Sequence, residues 1–200
     1  MTQLTDLTVR YGDHTVIEHL SYTFPQKGIF LLMGPSGLGK TTLLRLLAGI
    51  ESPTEGHVES DHTRCSVSFQ EPRLLPWLNA LENLTFVLPD GEESKALAVR
   101  TLDALELSDA IHLLPGALSG GMAGRVSLAR ALAYGGDLLL LDEPFSALDP
   151  ALKARIAPLV RAANPDGLTL VISHDPEDAK LLGARILRCE GAPFSSIREV

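Results

Sequence analysis

The chain has 200 residues, which suits one globular domain, or one domain with an inserted subdomain, and leaves little room for two independent cores. Its hydrophobic fraction of 45% is too high for a disordered chain. The formal net charge of −8 works against binding to nucleic acid or anionic lipid, because those polyanions would repel the chain as a whole.

No stretch of the sequence predicts a membrane span or an export signal. The longest apolar runs, residues 29–33 and 138–141, are far shorter than the ~18 residues that cross a bilayer. The N-terminus also lacks a basic start followed by an apolar core. The two cysteines, Cys65 and Cys189, have no nearby C-x-x-C partner, so we expect buried thiols rather than a disulfide or a zinc site.

The first third of the chain predicts strands followed by one helix. Loose alternation of apolar residues favours strands at 4–9 and 16–24, and an apolar run favours a third strand at 28–33. Residues 40–48 are too apolar all round for a surface helix, and Gly49 ends that segment. We therefore expect a buried helix that starts straight after a glycine-rich loop.

The loop between that strand and helix fits the pattern G-x-x-x-x-G-K-[ST]. Backbone N–H groups of such a loop point at phosphate oxygens, and the helix N-terminus adds positive partial charge. We expect Lys40 to reach the β- and γ-phosphates and Thr41 to bind Mg²⁺. The loop thus predicts nucleotide binding by Gly34, Pro35, Ser36, Gly37, Leu38, Gly39, Lys40, Thr41 and the following Thr42.

Residues 57–65 are polar and include His57, Asp61, His62 and Cys65. Those four residues could suggest a metal site, but a solvated hairpin explains the segment better. From residue 77 to about residue 118, leucines and alanines are spaced as on amphipathic helices. We interpret this stretch as a helical insertion.

After Gly120 the chain alternates helix and strand, which predicts a mainly parallel sheet. Only the segment that starts at Pro193 is expected to be a loose tail. We expect strands at 137–141, 168–173 and 186–189 and helices at 126–134, 151–163 and 178–182.

Polar side chains follow several apolar segments at the point where a strand would end. Gln70, the pair Asp142 and Glu143, and His174 each stand in such a position, as does the glycine-rich loop. Ligands of open α/β sheets bind at that edge. We expect Asp142 to hold Mg²⁺ and Glu143 to accept a proton from the water that attacks the γ-phosphate. These residues predict a P-loop nucleoside triphosphatase with a carboxylate base.

The sequence Leu-Ser-Gly-Gly-Met at 118–122, together with the motifs above, resembles the LSGGQ signature of the ATP-binding cassette (ABC) family. The resemblance covers nearly the whole chain, although Met122 and Gly124 depart from the usual pattern. It implies a single nucleotide-binding domain over residues 1–200, with a RecA-like α/β P-loop NTPase fold. A mainly parallel sheet would carry an N-terminal antiparallel β subdomain and a helical subdomain inserted at approximately residues 74–125.

The resemblance also implies roles for individual residues. Tyr11 would stack on the adenine of ATP, although an aromatic residue beside Gly12 could simply close a hairpin. Gln70 would be a catalytic residue and a Mg²⁺ ligand, and His174 would act with Glu143 in catalysis.

The resemblance further implies that two copies of the chain pair head to tail. Each ATP would lie between the glycine-rich loop of one copy and Ser119, Gly120 and Gly121 of the other. Asp149 belongs to the loop that follows the catalytic carboxylates, and it would also contribute to nucleotide binding.

The functional expectation from the resemblance is the ATPase subunit of a bacterial importer, with ATP and Mg²⁺ as cofactors. Residues 70–83 are similar to the corresponding stretch of nitrate, sulfonate, taurine and thiamine-precursor importer ATPases. We expect Leu74, Leu75 and Trp77 to dock on permease subunits, unless they pack within the helical insertion. The subunit would be cytoplasmic and peripheral on the inner face of the membrane, would act indirectly with a substrate-binding protein, and would not bind nucleic acid.

Two other function classes remain at this point. A soluble ABC ATPase could serve iron–sulfur cluster assembly, DNA repair or the ribosome. A small-molecule kinase could use the same phosphate loop, but it would not explain Ser119 to Gly121 or Ser146 to Asp149.

Overall fold

A computed structural model describes all residues from 1 to 200 and arranges them around one mixed sheet of nine strands. The strands are β1 (Thr2–Tyr11), β2 (His14–Phe24), β3 (Gly28–Met33), β4 (Glu55–Ser60), β5 (Cys65–Ser68), β6 (Leu138–Asp142), β7 (Leu168–Ile172), β8 (Arg185–Gly191) and β9 (Phe194–Glu199). The helices are α1 (Lys40–Leu47), α2 (Ala80–Thr85), α3 (Glu92–Ala104), α4 (Gly120–Tyr134), α5 (Pro150–Ala163) and α6 (Pro176–Leu182). The strand order is β4-β1-β2-β9-β8-β3-β7-β6-β5.

The centre of the sheet is parallel, as the alternation of helices and strands predicts. Strand β3 pairs in parallel with β7 and β8, β6 pairs with β7, and β5 pairs with β6. Every residue of β6 and β7 is buried, because helices cover both faces of such a sheet and the strands can be apolar throughout. The predicted α/β fold is confirmed.

Two hydrophobic clusters lie on the two faces of the sheet. One joins α4, α5 and α6 with the helices of the insertion, and the other joins α1 with the antiparallel strands. Leu139 and Leu141 of β6 belong to the first cluster, whereas Leu138 and Leu140 belong to the second. Alternate residues of one strand therefore stabilise opposite layers.

The predicted hairpin at residues 57–65 is wrong. Strand β4 pairs with β1 at one edge of the sheet, and β5 pairs with β6 at the opposite edge. The sequence predicts a strand before Gln70 but not where it packs, because the buried side chains of β5 are serines: Ser66 donates to the Ala131 carbonyl at 2.6 Å, and Ser68 shares a hydrogen bond with Ser127 at 3.1 Å. The main-chain carbonyl of Ala131 and the side chain of Ser127, both on α4, thus supply the partners that water would otherwise give.

The predicted loose tail at Pro193 is also wrong, since Phe194 to Glu199 form β9. This strand is antiparallel to β8 and parallel to β2, so it joins the antiparallel strands to the parallel centre. Phe194 is fully buried and Ile197 is 8% exposed. Two apolar residues three positions apart do not alternate, which is why the sequence gives no strand signal there.

If β9 is part of the core, Phe194→Ala should lower the free energy of unfolding by about 3–5 kcal/mol. The exposed Phe86 is a matched control, and Phe86→Ala should change stability by no more than ~0.5 kcal/mol. Urea denaturation of both variants measures the difference. Equal stability of the two variants would show that β9 is dispensable.

The helical insertion packs α2 and α3 against α4, and α4 also contacts β5. Helix α4 begins at Gly120 rather than at Val126 as the sequence predicts, so Gly124 does not prevent helix formation at its start. One helix thereby connects the insertion to the sheet. None of the helices is both long and apolar enough to cross a membrane.

Candidate active site

The predicted site residues that follow the strands meet in one cleft of about 370 Å³ at the carboxyl edge of the sheet. Gln70 follows β5, Glu143 follows β6, and His174 follows β7. The rest of the lining comes from the glycine-rich loop, the start of α1 and the strands β2, β6 and β7: Val16, Ser36, Gly37, Leu38, Gly39, Lys40, Thr41, Thr42, Asp142 and Ile172. Gly34 and Pro35 form the start of the same loop but do not line this cleft.

The glycine-rich loop turns sharply into α1 and leaves the first N–H groups of that helix free of side-chain caps. Gly39 has φ of +109°, and a Cβ atom there would lie 2.7 Å from Cγ1 of Val16. No acidic residue stands in the first turn of α1. The helix N-terminus therefore offers unpaired donors and positive partial charge to an anion in the cleft.

Lys40 is 5% exposed and lies across the start of the loop. Its Nζ atom donates to the carbonyls of Gly34 at 2.9 Å and Pro35 at 2.7 Å. Burial lowers the pKa of Lys40, and the nearby acidic groups, Asp142 and Glu143 among them, oppose that shift only in part. A buried ammonium with neutral acceptors would bind phosphate oxygens more strongly, because charge-assisted hydrogen bonds are the stronger kind.

Thr41 and Asp142 meet at the bottom of the cleft, where the Thr41 hydroxyl donates to Oδ2 of Asp142 at 2.7 Å. Asp142 is 2% exposed, and burial raises the pKa of its carboxyl, whereas the Thr41 hydrogen bond and Lys40 act against that rise. Gln70 adds an amide oxygen to the same cleft. A hydroxyl, a carboxylate and an amide oxygen are the hard ligands that suit Mg²⁺.

Glu143 and His174 form a direct pair, with Nε2 of His174 2.8 Å from Oε1 of Glu143. A carboxylate only accepts hydrogen bonds, so Nε2 is the donor. Glu143 has φ of +50°, an unusual conformation for a residue with a side chain. The main chain is held there by the hydrogen bond from Glu143 N to the Ile172 carbonyl at 3.0 Å.

A partly buried ionic network holds the segment that carries His174, and the sequence gives no signal for it. Ser173 donates to Oδ2 of Asp178 at 2.6 Å. Lys153 on α5 donates to Asp178 at 2.9 Å and to Asp175 at 3.0 Å. These bonds tie α5, α6 and the end of β7 together on both sides of His174.

Ser119, Gly120 and Gly121 lie at the start of α4, with Ser119 and Gly120 exposed. The Ser119 hydroxyl accepts a hydrogen bond from Met122 N at 3.2 Å and caps the helix. Ser119 does not line the cleft of its own chain, and no acidic residue stands in the first turn of α4. Gly120 and Gly121 line a second cavity of about 250 Å³ together with Gln70, Asp142 and Glu143, whereas the exposed Ser119 lies outside it.

Tyr11 and Asp149 lie outside the cleft as well. Tyr11 is 47% exposed at the end of β1, pairs with His14 across the turn to β2, and donates its hydroxyl to the Glu51 carboxylate. Asp149 caps α5 by accepting from Leu152 N at 2.9 Å, a bond that lowers the pKa of its carboxyl. Both residues have a structural task, and their nucleotide contacts remain predictions.

Two residues of the cleft escape sequence analysis. Val16 of β2 contacts the glycine-rich loop, and Ile172 ends β7 beside Glu143. Neither belongs to a pattern that indicates a ligand, because an apolar residue in a strand normally indicates core packing.

Comparison with known proteins agrees with this geometry. The family model described as "ABC transporter" matches residues 17–146. The aliphatic sulfonates import ATP-binding protein SsuB 2 of Burkholderia lata is 40% identical over 93% of this chain and 72% of its own. The protein named SsuB from Granulibacter bethesdensis is 40% identical over 96% of this chain and 80% of its own.

Two solved structures share the fold. The dimeric structure of MJ0796, a bacterial ABC transporter cassette, is 29% identical, has a TM-score of 0.86, and matches over 94% of each chain. The dimeric structure of a post-hydrolysis state of the same cassette, bound to ADP and Pi, is 28% identical with a TM-score of 0.87. That match covers 100% of this chain and 98% of the cassette.

Proposed function

This chain belongs to the ABC transporter family, and from that premise we propose that it is the ATP-hydrolysing subunit of a bacterial importer. One observation carries the proposal: four side chains face one cleft beside a phosphate-binding loop. They are Lys40, whose ammonium bonds back to that loop, the buried Asp142, and Glu143 paired with His174. The names of the relatives support import over the soluble and kinase alternatives.

In the proposed reaction, the phosphates of ATP lie on the glycine-rich loop. Ser36 to Thr42 present backbone N–H groups to the phosphate oxygens, and the N-terminus of α1 stabilises their charge. Lys40 moves its hydrogen bonds from the two loop carbonyls to the β- and γ-phosphates. The loop and Lys40 thus orient the γ-phosphate toward Glu143.

Thr41, Asp142 and Gln70 would hold Mg²⁺, since their oxygen atoms are the ligand set that this ion prefers. When bound, Mg²⁺ neutralises charge on the phosphate oxygens. Asp142 keeps its position because β6 is rigidly buried. The Thr41 hydroxyl donates a hydrogen bond to Asp142, so the two proposed ligand oxygens are adjacent.

Glu143 is the proposed base for the water that attacks the γ-phosphate. Its Oε1 atom is held by His174, which leaves Oε2 to accept the proton of the water. His174 positions the carboxylate and, at 45% exposure of its side chain, can also reach a bound phosphate. Glu143 and His174 are therefore the proposed catalytic residues.

A second copy of the chain would complete the site. The exposed start of α4, with Ser119, Gly120 and Gly121, would bind the γ-phosphate held by the partner's glycine-rich loop. Closure of the two copies on ATP and their release after hydrolysis would drive the motion of attached permease subunits. Tyr11 would stack on adenine, and Asp149 would lie near the shared nucleotide.

The proposed importer would also require contact with its membrane subunits, and the chain would then lie at the inner face of the membrane. A substrate-binding protein would act on the far side and never touch this chain. Trp77 is 71% exposed and suits a docking contact, whereas Leu74 packs against the buried core of the insertion. Of the three residues expected to dock, Trp77 is therefore the one we propose, since Leu74 and Leu75 are both partly buried.

We expect Trp77→Ser to reduce the stimulation of ATP hydrolysis by the permease that co-purifies with the chain, while basal hydrolysis persists, because a large exposed aromatic is a typical interface anchor. Hydrolysis with and without that permease, reconstituted in lipid nanodiscs, measures the effect. Leu97→Ser on α3 is the matched control and should keep its stimulation. Full stimulation of Trp77→Ser would remove Trp77 from the interface.

A further inference from the structure

Arg130 of α4 is a partly buried cation: desolvation lowers the pKa of its guanidinium, and no carboxylate stands within ion-pair distance. Its partners are neutral: the carbonyl of Pro72 at 3.1 Å, the carbonyl of Arg73 at 3.2 Å and Oδ1 of Asn83 at 3.4 Å. Burial of a charge without a counter-charge costs stability. The position of Arg130 is therefore better explained by the segments that it joins to α4 than by a contribution to the free energy of unfolding.

Asn83 of α2 is the second member of this cluster and is fully buried. Its side chain accepts from Leu75 N at 2.9 Å and donates to the carbonyls of Leu75 at 3.2 Å, Leu78 at 2.9 Å and Asn79 at 3.1 Å. These four bonds hold the main chain on both sides of Trp77, at Leu75 before it and at Leu78 and Asn79 after it. The main chain around the exposed indole is thus anchored to Asn83, and through Asn83 to Arg130.

The other end of the same loop reaches the nucleotide cleft. We call residues 70–79 the connecting loop, because it runs from Gln70 in the cleft to Asn79, the cap of α2. Arg130 holds this loop two and three residues after Gln70. Arg73 has φ of +46° and stacks its guanidinium over Phe69 at 4.5 Å. The connecting loop is therefore held at several points between the cleft and Trp77.

We propose that Arg130, acting with Asn83, is the positioning residue that couples nucleotide occupancy at Gln70 to the position of Trp77. Arg130 bonds the first half of the connecting loop directly, at the carbonyls of Pro72 and Arg73, and reaches the second half through Asn83. A shift of Gln70 is therefore expected to move the main chain around Trp77. The coupling is reciprocal: a partner bound at Trp77 changes the affinity of the cleft by the same factor. The inference rests on the proposed function in one respect, namely that the cleft binds MgATP.

Trp77 is the only tryptophan of the chain, so its fluorescence reports on the connecting loop alone. In the wild-type chain, addition of MgATP or of a non-hydrolysable analogue should change the emission of Trp77 and its quenching by acrylamide. Arg130→Gln should bind the same nucleotide with similar affinity, measured by equilibrium dialysis, and should lose that response. A role of Arg130 in stability alone would leave the response intact in folded protein.

Arg125 provides the matched control on the same helix. Its guanidinium also bonds two carbonyls, those of Leu105 at 2.9 Å and Glu106 at 3.1 Å, but it makes no bond to the connecting loop. Arg125→Gln should therefore keep the Trp77 response. If Arg130→Gln does not fold, Arg130→Lys replaces it, since lysine keeps the charge but cannot bond three separate acceptors in one plane.

The outcomes separate the two hypotheses. Absence of nucleotide binding by the wild-type chain contradicts the proposed function itself. Nucleotide binding without any change at Trp77, or a full response in a folded Arg130 variant, overturns the coupling while the proposed function stands. Loss of the response in Arg130→Gln or Arg130→Lys, with binding and the Arg125→Gln response retained, supports the coupling.

Discussion

Glu143→Gln should lower the rate of ATP hydrolysis at least ~100-fold and leave MgATP bound. The amide has nearly the shape of the carboxylate but cannot accept the proton of the attacking water. The replacement also removes a negative charge that raises the pKa of neighbouring Asp142. Asp142 should therefore stay ionised at least as readily as in the wild type, and the affinity for MgATP should not fall.

The same variant should accumulate as a dimer with ATP trapped between the copies, since hydrolysis is the proposed step that releases them. Phosphate release at steady state measures the rate, and light scattering with and without MgATP measures the mass. Glu177→Gln is the control, because Glu177 is an exposed carboxylate whose partner is Lys180 on the same helix. A Glu143→Gln chain that stays monomeric and hydrolyses ATP at the wild-type rate would contradict the assignment.

The positions of the proposed catalytic groups could be predicted because each one is tied to a strong local pattern. Asp142 and Glu143 end a run of four leucines, and the phosphate loop separates an apolar strand from a helix. Parallel strands bring such ends to one edge whatever the strand order is. The cleft was therefore predictable, although the order of the nine strands was not.

The elements that escape prediction depend on partners far away in the chain. The place of β5 at the sheet edge depends on serines that it buries against α4, and β9 depends on Phe194 between two other strands. The Lys153 network and the Arg130 cluster likewise join residues 22 to 58 positions apart. From the sequence alone, polar side chains of this kind are expected to be exposed to solvent. Only the tertiary contacts show which distant groups form their hydrogen bonds.

Lys40→Ala should abolish tight binding of MgATP, because no other side chain in the cleft can replace the ammonium at the phosphates. The two loop carbonyls that Lys40 now contacts would lose their donor, but Pro35 is exposed and Gly34 is partly exposed, so water should replace that donor. The fold should therefore survive, and a thermal denaturation curve close to that of the wild type would verify this. Retained affinity for MgATP, measured by equilibrium dialysis, would count against the assignment.

A mixture of two inactive variants tests where the second half of the site comes from. Ser119→Arg should block the start of α4 with a bulky side chain but leave the glycine-rich loop of its own chain intact. In a head-to-tail pair of Lys40→Ala with Ser119→Arg, one site combines the intact loop of the second chain with the intact Ser119 of the first. That site should hydrolyse ATP, although neither variant does so alone. If each chain built its site from its own Lys40 and Ser119, both sites of the mixed pair would be defective, and the mixture would stay inactive.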